Sequence, residues 1–322
     1  MPEIYDGPMY DLQCHAVWPD YLEEVRNNFF TEDGFPMVTD WTPEKHLDYM
    51  DRAGIQWSLL TLASPHPHYH NDQRCAEICR SFNEQSAELK RKLPDRFGWA
   101  ATLPHPNVDL AMEEALYALD ELDATTIKVA TNSRGLYMGD PTLDPLFELA
   151  SERGLTVIMH PAKPWPVNER VFSAWIVPLY EFLADSTRAV LNMIFNGVFS
   201  RYPNFKLVVP HNGSFLPNIY SRIGMIAGML ARRGIEIEVD VDAIFERLYF
   251  DNAGNANPNS DILLHCAPAD HLMYASDYPF TPEPVATALC KEMKEYYAAH
   301  PVIGPVQEEI FAGNARKLFG VK

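Results

Sequence analysis

Eight short apolar runs alternate along this chain with eight longer amphipathic stretches, and that alternation restricts the available folds more than any other feature. The runs cover 9–15, 57–63, 98–103, 126–131, 156–160, 206–211, 248–252 and 272–276. They have the length of strands buried on both faces. Between them, 43–53, 72–90, 108–121, 141–153, 176–200, 215–233, 260–266 and 282–300 read as helices. Thr42-Pro43, Asp140-Pro141 and Thr281-Pro282 supply helix starts, while Arg153-Gly154 and Arg233-Gly234 supply stops. Eight strands alternating with eight helices predict a (β/α)8 TIM barrel. It is distorted by loop insertions after strands 1 and 5, about 16–41 and 161–175. A doubly wound open sheet is the rival. No GxGxxG or GxxxxGK[ST] follows the first strand, which removes its usual nucleotide-binding form. Residues 1–322 contain no repeat, low-complexity tract or linker, so one domain is expected.

The chemistry gathers where strands end. His15 closes YDLQCH, His160 closes TVIMH, His211 closes KLVVPH, and Asp277 follows the last strand in MYASDYPF. In a parallel barrel such residues converge on one mouth, however far apart they lie in sequence. Three imidazoles and a carboxylate there suit zinc or manganese with a position open to substrate. Trp165, Phe172 and Trp175 follow strand 5 and could wall an aromatic pocket. The run Pro65-His66-Pro67-His68-Tyr69-His70 reads as a loop at the mouth that could touch substrate, since its prolines break regular ligand geometry. Strict alternation puts Asp11 on the face of Gln13 and His15, deeper in the barrel. Ser214 lacks a G-x-S-x-G elbow, so serine hydrolysis has no support, and the acidic run 236–242 reads as a solvated face.

These residues carry a resemblance. Pro94-Asp95-Arg96-Phe97, TNSRGLYMGDP (131–141), HP (160–161) and TRAVLNMIFNGVFSRYPNFKLVVPHNG (187–213) occur in order, followed by LYFDNAG (248–254), SDYPF (276–280) and GNARKLFG (313–320). Together they resemble the decarboxylase branch of the amidohydrolase superfamily. That branch includes the aminocarboxymuconate-semialdehyde, γ-resorcylate, 5-carboxyvanillate and 6-methylsalicylate decarboxylases. The resemblance implies that His15, His160 and Asp277 bind the metal and that His211 is an acid/base beside it. It also implies that Arg222, in HNGSFLPNIYSR, grips a substrate carboxylate, in some members from a neighbouring subunit. One departure stands out: the family usually carries HxH at the end of strand 1, and this chain reads Gln13-Cys14-His15. Three readings stay open: a weaker or different metal site, a Gln13 that bonds to a ligand instead of the ion, or a chain that has lost its metal.

The implied activity is metal-dependent, non-oxidative decarboxylation of a small aromatic (salicylate-type) or muconate-like acid, with His211 or Asp277 delivering the proton. Zinc is the first choice of metal, manganese the second, and no organic cofactor is expected. Hydrolysis or hydration of a lactone, amide or enol acid on the same barrel is the alternative, and a metal-free ligand-binding relative is the third reading. Here charge enters the argument. With 26 Lys and Arg against 44 Asp and Glu, the chain carries −18, which disfavours nucleic acid and anionic membrane but leaves room for a small anionic substrate in a locally positive pocket. The five cysteines show no CxxC spacing and read as reduced thiols of a cytoplasmic protein. The acidic N-terminus shows no signal peptide, and no apolar run is long enough to span a bilayer. A homodimer or higher homo-oligomer is the expected assembly.

Overall fold

Every residue of MYDLQCH is buried, and together they form the first strand, β1 (Met9–His15). A strand hidden on both faces reads as a continuous apolar run because helices cover it outside and the other strands face it inside. The computed structural model describes residues 3–28, 38, 40–68, 70–166, 170, 177–235 and 239–321. Within them the strands continue as β2 (Ile55–Thr61), β3 (Phe97–Trp99, resumed at Ala101–Thr102), β4 (Thr126–Ala130) and β5 (Thr156–His160). β6 (Lys206–Val209), β7 (Leu248–Asp251) and β8 (Leu272–Met273) complete the parallel set, and a short antiparallel pair, Asn132–Ser133 with Leu136–Tyr137, lies after β4.

The strands form a ring. β1 pairs with β2, and β2 with the first piece of β3; the second piece pairs with β4, and β5 to β8 follow in order, all parallel. The Leu12 amide donates to the Tyr274 carbonyl, and the Asp277 amide to the Gln13 carbonyl, each at 2.9 Å, stitching the end of the chain's last strand to its first. The chain has the (β/α)8 barrel fold. Tyr10, Leu12, Trp57, Leu59, Ile158, Val208 and Met273 fill the interior, closed at one end by Ala312 and Ala315. A larger apolar layer, including Cys14, Leu60, Val129 and Val209, lies between strands and helices.

β1 departs from strict alternation. Asp11 lies opposite Ser58 and Cys14 opposite Leu60, so three steps on β1 face two on β2. That extra residue is a β-bulge, and it changes which side chains share a face. Tyr10 and Leu12 join the inner layer with Trp57 and Leu59, whereas Cys14 joins the outer one with Leu60. Asp11 therefore leaves the face expected for it: its carboxylate accepts from the Ser276 amide at 2.9 Å and from the Ser276 hydroxyl.

The helical expectations hold at most boundaries, as at Pro43–Ala53, where the Thr42 side chain accepts from the Lys45 amide and Gly54 closes the helix at φ 74°. Two segments differ. The stretch expected to be irregular after β1 contains a helix, Pro19–Asn28. The single helix expected over 176–200 is a wide turn (Val177–Glu181), a helix (Phe182–Phe195) and a short helix (Val198–Arg201), broken where Gly197 turns at φ 68°. Among the described residues no helix is long and apolar enough to cross a membrane. All five cysteines are free thiols.

Candidate active site at the C-terminal mouth

β1 ends at His15, which is fully buried and held from both sides. Its Nδ1 lies 2.9 Å from the Thr61 hydroxyl at the end of β2, and its Nε2 lies 3.0 Å from Asp277 Oδ1. The Thr61 hydroxyl is also 3.2 Å from the Cys14 carbonyl and has one proton to give. If that proton goes to Nδ1, the Nε2–H donates to Asp277. If it goes to Cys14, Nδ1–H donates to Thr61, and the Nε2 lone pair faces a carboxylate, a position that calls for a cation between them. His160, at the end of β5, stands edge-on to His15 with ring centroids 4.9 Å apart. Its Nδ1 donates to the Pro161 carbonyl at 2.8 Å, which leaves Nε2 as the lone-pair nitrogen. Burial, then His15 and Lys128, hold His160 well below the ordinary histidine range, so it is neutral.

Burial pushes the Asp277 carboxyl up, but the hydrogen bond and electrostatic pull of the His15 ring, with His211 and the Thr281 hydroxyl, outweigh it and hold the group below its ordinary range. Asp277 is a carboxylate at neutral pH. Its backbone takes φ 60°, and His211 takes φ 58°, the left-handed region that non-glycine residues rarely enter. Such strain, ~1–3 kcal/mol per residue, persists where the surroundings hold it, and it concentrates at working sites. Pro210–Gly213 supply that hold for His211. Its amide donates to Asp251 Oδ1 at 3.1 Å, its carbonyl accepts from Asn255 Nδ2 at 3.1 Å, and Asn212 donates to the Asn255 carbonyl at 2.7 Å. His211 Nδ1 is buried without a partner. Burial lowers the His211 pKa, with Asp277 opposing and His15 adding to the drop. Asp251, at the end of β7, is pushed up to about 7, by burial first, against the backbone amides of His211 and Ala253.

Gln13 is 1% exposed, yet neither its amide oxygen nor its amide nitrogen has a hydrogen-bond partner. An unsatisfied buried amide costs ~1–3 kcal/mol, so a group of complementary charge belongs there. Among the described residues, no three or more His, Cys, Asp or Glu side chains already stand as a metal shell. His15 and Asp277 instead bond to each other. In type the donors do fit a divalent ion: two imidazoles, a carboxylate and an orphaned amide oxygen.

The structure thus brings His15, His160 and Asp277 together beside His211, whose pKa responds to both Asp277 and His15. It does not bring Arg222, which stands exposed on Leu216–Arg232 and makes no hydrogen bond or ion pair with the cluster among the described residues. Trp165 follows β5 as expected but is 47% exposed, packed under the Arg134 guanidinium at 5.4 Å from its ring centroid. Phe172 and Trp175 lie outside the described residues, as do 236–238 of the acidic run. Within the loop after β2, His66 and His68 are buried. Nothing in the sequence marked Thr61 and Asp251, because the apolar runs 57–63 and 248–252 carry on past them, and only the structure ends the strands there.

The amidohydrolase family model matches residues 10–321. The decarboxylase macB of Penicillium terrestre is 28% identical over 96% of this chain and 94% of its own length. A 6-methylsalicylic acid decarboxylase of Penicillium expansum is 25% identical over 95% and 94%. The solved dihydroxybenzoic acid decarboxylase of Polaromonas sp. JS666, with bound manganese and the inhibitor 2-nitroresorcinol, superposes with a TM-score of 0.80 at 21% identity, covering 98% of this chain and 97% of its own.

Proposed function

The chain belongs to the amidohydrolase family, and on that footing we propose that it is a metal-dependent, non-oxidative decarboxylase, a carbon–carbon lyase acting on a small aromatic acid of the salicylate type. One observation carries the reading: His15 meets both Asp277 and His160 at the barrel mouth, while the Gln13 amide on the same strand and Nδ1 of His211 are buried without a partner. When bound, a divalent ion supplies a Lewis-acid hold on the substrate's carboxylate and its neighbouring oxygen. Gln13, His15, His160 and Asp277 are the residues that would hold it. The histidines alone suggest zinc; the amide oxygen, a harder donor, and the manganese in the Polaromonas enzyme favour manganese.

Decarboxylation needs a proton on the ring carbon that bears the carboxylate. The carbon–carbon bond then breaks, its electron pair returns to the ring, and carbon dioxide leaves. Asp277 and His211 are the groups able to relay that proton. At neutral pH Asp277 rests as a carboxylate and His211 as neutral imidazole, so the proton enters with the substrate's phenol or from water. Thr61 fixes the ring of His15, which bonds to Asp277, and Asp251 holds the backbone of His211.

The reading extends to a cytoplasmic homodimer or higher homo-oligomer, since Arg222, exposed and apart from its own chain's cluster, is free to meet a second copy's site. The test is to load the purified protein with manganese or zinc and offer salicylate, 6-methylsalicylate and 2,6-dihydroxybenzoate beside lactones and amides. Carbon dioxide and the matching phenol are expected. Hydrolysis products alone would overturn the reading.

A further inference from the structure

One buried carboxylate below the mouth, that of Asp11, takes no part in the proposed chemistry, yet it governs the turn that carries Asp277. Three consecutive amides build that turn, and in it Asp277 stands at φ 60°. The Ser276 amide donates to Asp11 Oδ1 at 2.9 Å, the Asp277 amide to the Gln13 carbonyl at 2.9 Å, and the Tyr278 amide to the Ser276 hydroxyl oxygen at 3.0 Å. The Ser276 hydroxyl gives its own proton to Asp11 Oδ2. Two of the three amides therefore depend on one side chain, the first directly and the third through Ser276. Asp11 and Ser276 are both buried, so water does not stand in for these bonds.

The β1 bulge is what frees Asp11 for this task. Between Asp11 and Cys14 the ladder with β2 slips by one residue, which leaves backbone groups on β1 outside the regular pairing. The Gln13 backbone amide hydrogen-bonds to the Asp11 carboxylate as well. One group thus gathers both sides of the mouth: β1, which ends in Gln13 and His15, and the turn after β8, which presents Asp277. The far end of that turn returns to β1, since the His15 amide donates to the Tyr278 carbonyl at 2.8 Å. A shift of Ser276 or Tyr278 would therefore be felt at both members of the His15–Asp277 pair, which stand 3.0 Å apart. A non-glycine residue in the left-handed region keeps that conformation only where its surroundings over-determine it, and here the chief side-chain support is Asp11.

We propose that Asp11 is a positioning residue: through Ser276 and Tyr278 it fixes the strained turn that aims the Asp277 carboxylate at His15 and at the ion the two would share. The inference rests on the metal-dependent decarboxylase reading for what that aim serves, but the aim itself can be read without turnover.

Two variants test it. Asp11→Asn keeps an acceptor for the Ser276 amide but sets an NH2 against the Ser276 hydroxyl, where it competes with the Tyr278 amide. Ser276→Ala keeps the carboxylate and removes only the hydroxyl, so it serves even if Asp11→Asn does not fold. Burial raises the Asp11 carboxyl to about 7, against the bonds from Ser276 and Gln13, so the measurements are made at pH 8, where it only accepts. In the metal-free protein, hydrogen exchange over 274–281 should quicken at least about tenfold in both variants. Manganese affinity, read by competition with a chelator, should fall about tenfold or more, as it does when a group that orients a ligand is lost. Glu114→Ala is the control for a general loss of stability. It takes a buried carboxylate from Arg80 at 2.6 Å and Asn83 at 2.7 Å, between the helices Asp72–Lys92 and Val108–Asp120, and should change neither reading. Unchanged exchange, manganese affinity within about twofold of the wild type, or equal losses in Glu114→Ala would overturn the proposal. A wild type that takes up neither manganese nor zinc would overturn it together with the metal site. Carbon dioxide release from hydroxybenzoates is read separately: manganese binding that depends on Asp11, with no release from any of them, would sink the decarboxylase reading and leave the positioning role standing.

Discussion

Single residues decide the chemistry at the mouth, and Gln13 is the most informative of them. Its amide is buried and unpartnered, two residues before His15 on β1. Gln13→His should raise zinc affinity at least about tenfold, since imidazole is the better zinc ligand; metal content after dialysis against a graded chelator measures it, and an unchanged content would remove Gln13 from the ion. His15→Ala and Asp277→Ala should abolish carbon dioxide release, as each loses a ligand and breaks the pair at 3.0 Å. Asp251 bears on stability. Burial raises its carboxyl from the ordinary 3.8 to about 7, so between those values the folded protein holds a proton that the unfolded chain has released. Its stabilising contribution is complete below 3.8 and is lost as pH rises through about 7. Urea unfolding from pH 4 to 8 should therefore fall less steeply for Asp251→Asn than for the wild type. The strand-end rule was enough to find His15, His160, His211 and Asp277. It did not reach Thr61 and Asp251, because the apolar runs continue to 63 and 252 and neither residue carries a metal signature in a sequence.

At the scale of elements, small irregularities aim these residues. The β1 bulge separates Asp11 from the face of His15, and no pattern of residue types announces it, because both faces of this strand are buried and either parity looks apolar. The turn after β6 is legible only in part. Gly213 turns at φ 71°, and a Cβ there would stand 3.0 Å from the Phe250 ring, so Gly213→Ala should cost ~1–3 kcal/mol in urea unfolding and displace His211 two residues away. Asp185 anchors the turn after β4 that carries Asn132 and Arg134. Fully buried, it accepts from the Thr131 and Tyr137 hydroxyls, from Asn132 at 2.9 Å and from Arg188 at 2.8 Å. Asp185→Ala leaves four donors without their acceptor and should cost about 3 kcal/mol.

The whole molecule sets how an anion reaches that mouth. A charge of −18 repels a small acid over a distance, while the hold of a bound ion would act at contact, where salt screens less. The KM for a hydroxybenzoate should therefore fall as sodium chloride rises from about 10 to 150 mM, where the Debye length reaches ~8 Å; a rising KM would mean that attraction reaches well beyond the mouth. The barrel itself was legible from the alternation of apolar runs with amphipathic stretches, because a strand covered on both sides and a helix covered on one leave different periodicities. The identity of the strand-end residues was legible too, since parallel closure carries every strand's C-terminus to the same mouth. Tertiary structure alone decided the rest: that Asp11 turns away to Ser276, that His15 and Asp277 bond directly, and that the Gln13 side chain is left without a partner. Each of these depends on a register shift or on contacts between segments distant in the chain, and periodicity records which face a residue takes but not which neighbour it meets there.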